Sequence, residues 1–349
     1  MISSNPSIAI VILNWNGKHW LEIFLPILIK NTSNNYQIII GDNASTDDSI
    51  LFLQQNYPTI KIIKNEINCG FAGGYQQVLK QVDADYYILL NSDVEVTEHW
   101  IEPIISYLQN NPTMAAAQPK IKAFHHKDYF EYAGAAGGFI DKNGYMFCRG
   151  RLFDTIEIDT KQYDDNMEIF WATGACLFIK SKAFHKVGGF DKLFFAHQEE
   201  VDLCWRLKNA GYTIGYCGGS TVYHVGGGML PKSNPFKTYL NFRNSLFLLV
   251  KNIPNNRLIT ILPYRILLDG VASFKFLSDG NLKDCMAVIK AHISFYASLS
   301  VLIKTKKQMK QSGLFVKDSF TKQSTGFYNK GILGQYFFKK HKLFQHLDR

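Results

Sequence analysis

Residues 8–93 alternate between short apolar runs and segments with helical spacing, and this alternation constrains the fold more than any other feature. The apolar runs are Ile8–Leu13, Gln37–Gly41, Ile60–Lys64 and Asp85–Leu90. The helical segments between them are Lys18–Lys30, Asp47–Gln55 and Gly73–Val82. Alternation at this pitch predicts an α/β fold, with a mainly parallel central sheet and helices on both of its faces.

Polar residues follow each predicted strand, at the edge where ligands bind in such sheets. The clusters are Asn14-Trp15-Asn16, Asp42-Asn43, Asn68–Gly74 and Asn91-Ser92-Asp93. A carboxylate in a polar turn after a buried strand suits a divalent cation, which prefers oxygen ligands. Asp93 and Asp42 are therefore candidate site residues, although an Asp in such a position often only caps the next helix.

Three glycines in Asn68–Gly74 precede a predicted helix. Glycine lets the backbone approach a ligand closely, and free N–H groups at a helix start favour phosphate. A simple tight turn is the alternative. The segment matches neither the GxGxxG pattern nor a Walker loop, so a dinucleotide-dependent dehydrogenase is not supported.

Two further segments carry titratable side chains in informative surroundings. Glu199 and Asp202 are three residues apart and share a helix face, whereas Glu200 points elsewhere. Aromatic residues flank this segment, and a carboxylate half-buried among them has a raised pKa that suits a general base. An exposed acidic helix start is the alternative. His224 precedes three glycines, which indicates either a loop that closes over a ligand or a structural histidine.

Composition and charge exclude several classes of protein. The chain has 349 residues, 46% of them hydrophobic, as in globular proteins. The net charge of +9 is carried by residues 304–349, and residues 1–303 are neutral. A nucleic-acid role therefore loses most of its support, whereas attraction of this tail to anionic lipid stays open. Six cysteines without a CxxC pair, no signal peptide and no apolar run of roughly 18 residues predict a cytoplasmic protein.

Six ordered motifs together resemble the family 2 glycosyltransferases, and most closely their rhamnosyltransferase-like and galactofuranosyltransferase-like bacterial members. The motifs are Val11–Gly17, Gly41–Asp47, Asn68–Gly74, Leu89–Asp93, Trp171–Cys176 and Phe190–Leu207. The resemblance covers about residues 7–250. It implies a GT-A fold, which is Rossmann-like, a nucleotide-sugar donor, a divalent metal ion (Mg²⁺ or Mn²⁺) and inversion at the anomeric carbon.

The resemblance also assigns roles to particular residues. It implies that the nucleotide is bound by Asn14, Asn16, Asp42, Asn68, Gly70, Gly74 and Asn91. It makes Asp93 a metal ligand and matches His224 to a second one. Trp171 and Asp202 resemble residues on the acceptor side. The family's acidic pair is normally Glu-Asp, with the second member as catalytic base; that member is Glu200 here, and the choice between Glu199 and Glu200 stays open.

The predicted organisation has three parts. Residues 1–250 form the catalytic domain, with a nucleotide-sugar half at about 1–115 and an acceptor half at about 116–250. Residues 251–303 are helical, and they either pack on the catalytic domain or lie on the inner leaflet of the membrane. Residues 304–349 form a basic, aromatic-rich tail, which favours membrane contact.

We predict from these features an inverting, metal-dependent glycosyltransferase of surface polysaccharide, O-antigen or cell-wall synthesis. Its donor would be dTDP-rhamnose-like or a UDP-sugar, and its acceptor a glycan that a lipid could carry. The alternative is a non-catalytic nucleotide-binding scaffold of a polysaccharide-assembly complex. That alternative rests on two departures from the family pattern, the second Glu of the acidic pair and Asn91.

Overall fold

The computed structural model describes residues 6–226, 234–316 and 318–347. Two sheets lie within these residues. The central, nine-stranded sheet contains β1 (Ile8–Asn14), β2 (Gln37–Asp42), β3 (Lys61–Lys64), β4 (Tyr86–Leu90), β5 (Val94–Val96), β6 (Met114–Ala123), β11 (Asn166–Ile169), β12 (Cys176–Lys180) and β13 (Thr213–His224). The five-stranded sheet contains β7 (Gly138–Asp141), β8 (Met146–Cys148), β9 (Arg151–Leu152), β10 (Thr155–Ile156) and β14 (Phe327–Tyr328).

Nine α-helices lie within the described ranges. They are α1 (Lys18–Lys30), α2 (Ser49–Asn56), α3 (Gly70–Val78), α4 (Glu102–Asn110), α5 (Ser181–Lys186), α6 (Glu199–Asn209), α7 (Pro235–Asn252), α8 (Asn255–Ser278) and α9 (Leu282–Gln311). The alternation predicted for residues 8–93 is confirmed, with boundaries within a few residues of the prediction.

The central sheet has the order β11-β13-β6-β12-β4-β1-β2-β3, with β5 paired to β13. The half built from β3, β2, β1 and β4 is parallel throughout. Beyond β4 the sheet continues through the antiparallel strand β12 and then the parallel pair β6 and β13. The predicted α/β fold is confirmed.

Helices cover both faces of this sheet, which explains why its strands are apolar at successive positions. Ile10 and Ile88 point to the face that α1 and α4 cover. Val11 and Leu89, one position further along, point to the face that α3 and α6 cover. Both apolar faces are therefore removed from water, and the loops that follow the strands are left for the site.

Helix α3 begins earlier than the sequence predicts, because its glycines belong to the helix and do not precede it. Gly70 has a φ of +69°, and a Cβ there would meet the carbonyl oxygen of Phe195 at 2.4 Å. A Cβ on Gly74 would meet Leu13 Cδ2 at 2.8 Å. These two glycines therefore allow close packing of the helix against β1 and against the turn before α6.

Residues 304–311 belong to α9, and residues 318–347 pack against the five-stranded sheet and α6. Four aromatic residues of the predicted tail are buried (Phe320, Tyr328, Tyr336 and Phe344), whereas Phe337 and Phe338 are exposed, and membrane contact of this segment stays a prediction. Strand β14 pairs with β7. The ring of Phe320 stacks on Trp205 with centroids 5.3 Å apart. Phe344 is buried, with its ring 4.8 Å from that of Phe139. Apolar burial explains this docking, since the rings fill the space between this sheet and α6.

Helices α8 and α9 occupy the region predicted to be helical, residues 251–303, and α9 continues to Gln311. Helix α7 lies almost wholly before that region. Pro263 lies within α8 and does not end it, and Gly280 lies in the turn between α8 and α9. In the described residues one helix, α9, is long and apolar enough to cross a membrane by length and composition alone. The search of the sequence for uninterrupted apolar runs did not find this helix, because polar residues interrupt its otherwise apolar sequence. Buried helices of soluble proteins meet the same criterion.

Candidate active site

Asn14 and Asp42 lie side by side at the ends of β1 and β2, where the parallel register pairs them. Both side chains are buried. Asn14 Nδ2 donates to Ser45 Oγ at 3.1 Å and to Asp42 Oδ1 at 3.4 Å. Asn14 Oδ1 is also buried and makes no hydrogen bond in the described residues, which leaves this amide with one unsatisfied acceptor.

The side chain of Asn16 organises the loop before α2. Its φ is +51°, a value that Asn tolerates better than most residues. Its Oδ1 accepts hydrogen bonds from the backbone N–H groups of Thr46, at 2.7 Å, and Asp47, at 3.3 Å. Asn16 thereby joins the loop after β1 to the loop after β2, and its predicted contact with the nucleotide stays a prediction.

Three asparagines hold the start of α3, and the sequence analysis assigned a role only to Asn68. Asn43 Nδ2 donates to Asn68 Oδ1 at 2.9 Å, and Asn65 Nδ2 donates to Asn43 Oδ1 at 3.1 Å. Asn68 Oδ1 also accepts from the N–H of Gly70 at 2.8 Å. The N–H of Ala72 donates to the carbonyl of Phe195. The N–H of Cys69 donates to Asn43 Oδ1 at 3.3 Å. Three N–H groups of the glycine segment are thus engaged within the protein, which favours the packing role over a phosphate cradle.

Asp93 and His224 meet although they lie far apart in sequence. Strands β5 and β13 pair in antiparallel register, with His224 opposite Val94. His224 Nε2 lies 3.2 Å from Asp93 Oδ1 and 3.4 Å from Asn91 Nδ2. The side chains of Asn91 and Asp93 therefore both contact the same imidazole nitrogen of His224. The glycine loop predicted after His224 reaches residues 227 and 228, which lie outside the described residues.

Glu131 completes this group, and sequence reasoning missed it. Its Oε2 lies 3.6 Å from His224 Nδ1, and its carboxylate is buried. Burial lowers the pKa of His224, but the carboxylates of Asp93 and Glu131 raise it to about 10. Burial raises the pKa of Asp93, but His224 lowers it below its ordinary value. The loop after β6 brings Glu131 here, where its backbone N–H donates to the carbonyl of Ile121 in β6 at 3.0 Å. No spacing in the sequence predicts this contact.

These residues fit a divalent cation. Carboxylate and imidazole are both common ligands, and neighbouring ligands of an octahedral ion are about 3 Å apart. The separation of 3.2 Å between Asp93 Oδ1 and His224 Nε2 matches that distance. Glu131 stands behind the imidazole as outer carboxylates do in metal sites. The described residues contain no cluster of three or more His, Cys, Asp or Glu side chains arranged for a metal ion, so further ligands would come from a bound donor or water.

The acidic pair begins α6 directly after a strained turn. Phe195, His197 and Gln198 have φ values of +64°, +69° and +69°, which non-glycine residues rarely adopt. Asn244 of α7 holds this turn: its buried Nδ2 donates to the carbonyls of Phe194, at 2.9 Å, Ala196, at 2.8 Å, and His197, at 2.7 Å. Asn244 is a second residue that the sequence did not single out.

Glu199 and Glu200 differ in their access to solvent. Glu199 is buried, and burial together with the adjacent Glu200 raises its pKa well above the ordinary value. Glu200 is half-buried, and burial raises its pKa to about 7 against the lowering effect of backbone N–H groups at the helix start. Glu200 Oε2 has no hydrogen-bond partner in the described residues. Glu199 Oε2 likewise has no partner there, and both oxygens are buried. The two residues therefore differ in the pKa of Glu200, about 7, and in its less complete burial, which are the properties that a base at neutral pH needs.

Asp202 does not lie on the acceptor side, contrary to the prediction. It is completely buried, and its oxygens accept hydrogen bonds from Arg206 Nε at 2.8 Å, Lys251 Nζ at 2.9 Å and Asn252 Nδ2 at 2.9 Å. Burial raises its pKa, but Lys251 and Arg206 lower it to about 2. The helical spacing from Glu199 turns this carboxylate into the protein, where it joins α6 to α7.

Trp171 is also largely buried. Its indole N–H donates to the carbonyl of Phe139 at 3.0 Å. A Cβ on Gly138 would meet the indole at 2.2 Å, so the ring lies flat against the glycine backbone of β7. The indole therefore joins the central sheet to the five-stranded sheet, and its contact with an acceptor stays a prediction.

The sequence profile of glycosyl transferase family 2 matches residues 9–187, just over half of the chain. This chain belongs to that family and is a glycosyltransferase. The match covers the parallel half of the central sheet and the turn between β4 and β5 that carries Asn91 and Asp93, so the predicted family and activity are confirmed.

Relatives and solved structures agree with this assignment. The N-acetylglucosaminyl-diphospho-decaprenol L-rhamnosyltransferase of Mycobacterium tuberculosis is 27% identical over 225 residues, which cover 60% of this chain and 72% of the relative. The rhamnosyltransferase WbbL of Escherichia coli K12 is 24% identical over 213 residues, which cover 57% and 77%. A mannosyltransferase from Pyrobaculum calidifontis, in complex with GDP-Man and Mn²⁺, has a TM-score of 0.52 at 10% identity, over 89% of this chain and 87% of that one. The GT-A fold is thereby confirmed.

Proposed function

We propose that this glycosyltransferase moves a sugar, with inversion, from a nucleoside-diphosphate donor to a hydroxyl of a lipid-linked glycan in the assembly of a cell-surface polysaccharide. Two similar proteins are rhamnosyltransferases, and the name of one specifies a decaprenol-linked substrate. A deoxysugar on dTDP or a sugar on UDP is the donor that we infer. All six cysteines are unpaired, which supports a cytoplasmic location where such a reaction would take place.

One observation carries the proposal: a single short loop contacts both the acidic pair and the residues around Asp93. A Cβ on Gly174 would lie 3.8 Å from Glu200 Cβ. The next carbonyl, that of Ala175, accepts a hydrogen bond from the N–H of Asn91 at 3.0 Å. The loop before β12 therefore has the candidate base on one side and the candidate metal ligands on the other, at the edge where the parallel strands end.

Glu200 would act as the general base. A pKa of about 7 leaves a substantial fraction of this carboxylate ionised at neutral pH, and its unpartnered Oε2 is free to accept a proton. The acceptor hydroxyl loses that proton as its oxygen attacks the anomeric carbon. The bond to the diphosphate breaks on the opposite face, so the configuration inverts without a covalent enzyme intermediate.

Asp93 and His224 would hold the divalent cation, and Glu131 would orient the imidazole through Nδ1. When bound, such a cation stabilises the negative charge that develops on the departing nucleoside diphosphate. Asn14 and Asp42, buried at the adjacent strand ends, would bind the nucleoside, since the unsatisfied Asn14 Oδ1 requires a donor.

A ligand screen followed by a transfer assay tests this function. We expect one of UDP, dTDP, GDP or CMP to raise the melting temperature of the purified protein when Mn²⁺ or Mg²⁺ is present, because ligands that bind only the folded state stabilise it. We then expect transfer from the corresponding nucleotide sugar, and its loss in Glu200→Gln. Stabilisation by a nucleotide with no transfer from any of its sugars would contradict catalysis and favour the scaffold.

A further inference from the structure

Helix α8 buries two charged side chains on its inward face and exposes a continuous stripe of apolar side chains on its outer face. Arg265 is buried, and its Nη1 donates to the carbonyl of Gly144 at 2.9 Å. Asp269, one turn further on, is buried with an oxygen 3.1 Å from His292 of α9. The outward stripe consists of Ile259, Leu267, Val271, Phe274 and Leu277, each about half exposed or more. This is the reverse of the arrangement that water selects.

Helix α9 continues the apolar surface. Its exposed side includes Leu282, Met286, Ile289, Ile293 and Tyr296. Its opposite side is buried against α7, where the ring of Phe295 lies 6.4 Å from that of Phe247. A helix with one side packed on a folded domain cannot be surrounded by lipid, so α9 suits the surface of a bilayer and not its interior.

Basic side chains border this surface. A cleft of about 840 Å³ opens beside α8 between Tyr264 and the exposed Phe338. Lys142, Lys330 and Lys339 also line it, and none of its lining residues is acidic. Apolar stripes beside clustered lysines form the combination that binds anionic lipid surfaces, with the rings and aliphatic chains among the acyl chains and the ammonium groups at the phosphates.

We propose that the α8–α9 hairpin, Asn255–Gln311, rests in the surface of an anionic lipid bilayer, with the lysine-lined cleft against the phosphates of the headgroups. This deepens the proposed function and depends on it in one respect, the lipid-linked acceptor. We choose a bilayer as the occupant because the apolar surface is long, is formed by two adjacent helices and is bordered by lysines. A second copy of this protein would bring the same lysines to the contact, and the two sets of positive charges would repel each other.

The packing of α7 against α9 relates this surface to the active site. Tyr239 of α7 donates to Ser294 of α9 at 3.0 Å, and Lys306 of α9 donates to the carbonyl of Ile253 directly after α7, so the two helices run in the same direction. From the Tyr239–Ser294 contact back to its start at Leu282, α9 is longer than the matching part of α7, which starts at Pro235. At about 1.5 Å per residue, α9 therefore extends roughly 12 Å beyond the start of α7.

The start of α7 is also the part that contacts the acidic pair. Gln198, immediately before Glu199, donates through Nε2 to the carbonyl of Asn241 at 3.1 Å. The hairpin turn therefore projects past the helix end that holds the candidate base. A hairpin bound to the bilayer places the acceptor side of Glu200 near the lipid surface, where an acceptor on a lipid carrier is found.

Vesicle sedimentation of the full-length protein tests the proposal. The probe is a vesicle of equal parts phosphatidylglycerol and phosphatidylcholine at low salt, compared with phosphatidylcholine alone and with free inorganic phosphate as competitor. We expect the wild type to sediment with the anionic vesicles, and the double variant Leu267→Glu/Phe274→Glu to partition at least about tenfold more weakly. Leu51→Glu on α2, an exposed apolar residue away from the hairpin, is the control and should bind as the wild type does.

Several outcomes would overturn the proposal. Wild type that stays in the supernatant, or a double variant that binds unchanged, shows that this surface does not contact lipid. If light scattering shows that the wild type is a dimer and the double variant a monomer, the surface binds a second copy of the protein. Inhibition of sedimentation by millimolar phosphate would show that the cleft binds the free anion. Lipid binding is measured without sugar transfer, so its failure is distinguishable from failure of the nucleotide screen that tests the proposed function.

Discussion

His224 Nε2 lies 3.2 Å from Asp93 Oδ1, although the two residues come from strands that are distant in sequence. The pairing of β5 with β13 creates this contact, and Glu131 on the other side of the imidazole supports it at 3.6 Å. In the free protein, the two buried carboxylates attract the positively charged imidazole that lies between them. In the proposed function, the imidazolium would lose its proton before Nε2 and a carboxylate oxygen of Asp93 could bind a cation.

Replacing Asp93 by Asn should abolish the part of nucleotide-induced stabilisation that depends on Mn²⁺ or Mg²⁺, because an amide is a weaker cation ligand than a carboxylate. Differential scanning fluorimetry with the preferred nucleotide, with and without the metal ion, measures this. Asp279→Asn, at the exposed α8–α9 turn, is the control and should behave as the wild type. Full metal-dependent stabilisation of Asp93→Asn would remove Asp93 from the metal site.

The rate of transfer should rise with pH through about 7. Burial raises the pKa of Glu200 to about 7, and a base is active only when ionised, so kcat/KM increases from pH 6 to a plateau above pH 8. Glu200→Gln should lower kcat by about 10²–10⁴-fold and remove this pH dependence. Glu199→Gln, its neighbour of equal size, should keep the rising profile. The reverse result for the two variants would make Glu199 the base.

Asn244→Ala should lower kcat about tenfold while the KM for the donor stays unchanged, because three carbonyl oxygens of the turn before Glu199 lose their common donor. Loss of a buried hydrogen-bonding group should also reduce the free energy of unfolding by about 1–3 kcal/mol. Steady-state kinetics and urea unfolding measure the two effects. Asn256→Ala, exposed at the start of α8, is the control. Reduced stability with an unchanged kcat would show that Asn244 does not position the base.

Lys251→Met should destabilise the fold by about 3–5 kcal/mol, because it leaves Asp202 buried with less compensation of its charge. In the wild type Lys251 and Arg206 lower the pKa of Asp202 to about 2, so their stabilising effect is complete above the ordinary Asp value and is lost as the pH falls toward 2. Urea unfolding measured between pH 7 and pH 3 should show that the free energy of unfolding decreases less with falling pH in the variant than in the wild type. Lys275→Met, which breaks the exposed pair with Asp279, should change stability by less than about 0.5 kcal/mol.

Two glycine-to-alanine substitutions should have opposite effects. Gly74→Ala places a Cβ 2.8 Å from Leu13 and 3.1 Å from Asn43, and should destabilise by about 1–3 kcal/mol. Gly270→Ala, within α8, meets no atom within 4 Å and should stabilise by roughly 0.5–1 kcal/mol, since alanine has the higher helix propensity. Thermal unfolding compares both with the wild type. Destabilisation by Gly270→Ala would indicate that this face of α8 packs against another molecule, such as a second copy of the protein.

The alternating pattern of residues 8–93 was sufficient to predict the order of strands and helices, because the period of apolar residues is set by backbone geometry within each segment. The clusters at the strand ends identified Asn14, Asp42 and Asp93 for the same reason: polar residues after a buried strand have to be at the sheet edge. The glycine segment was placed before the helix, since the sequence does not show that close packing against Phe195 allows the helix to begin at Gly70.

The sequence by itself determined the α/β fold, the family and the set of carboxylates from which a base and a metal ligand are drawn. Only the tertiary structure decided their surroundings: it buried Asp202 in an ion-pair network, left Glu200 less completely buried than Glu199, and added Glu131 and Asn244 from distant elements. It also turned four of the terminal aromatic rings inward. The physical reason is that burial and the neighbours of a charge, which set its pKa and its access to a ligand, arise from contacts between segments that no local pattern encodes.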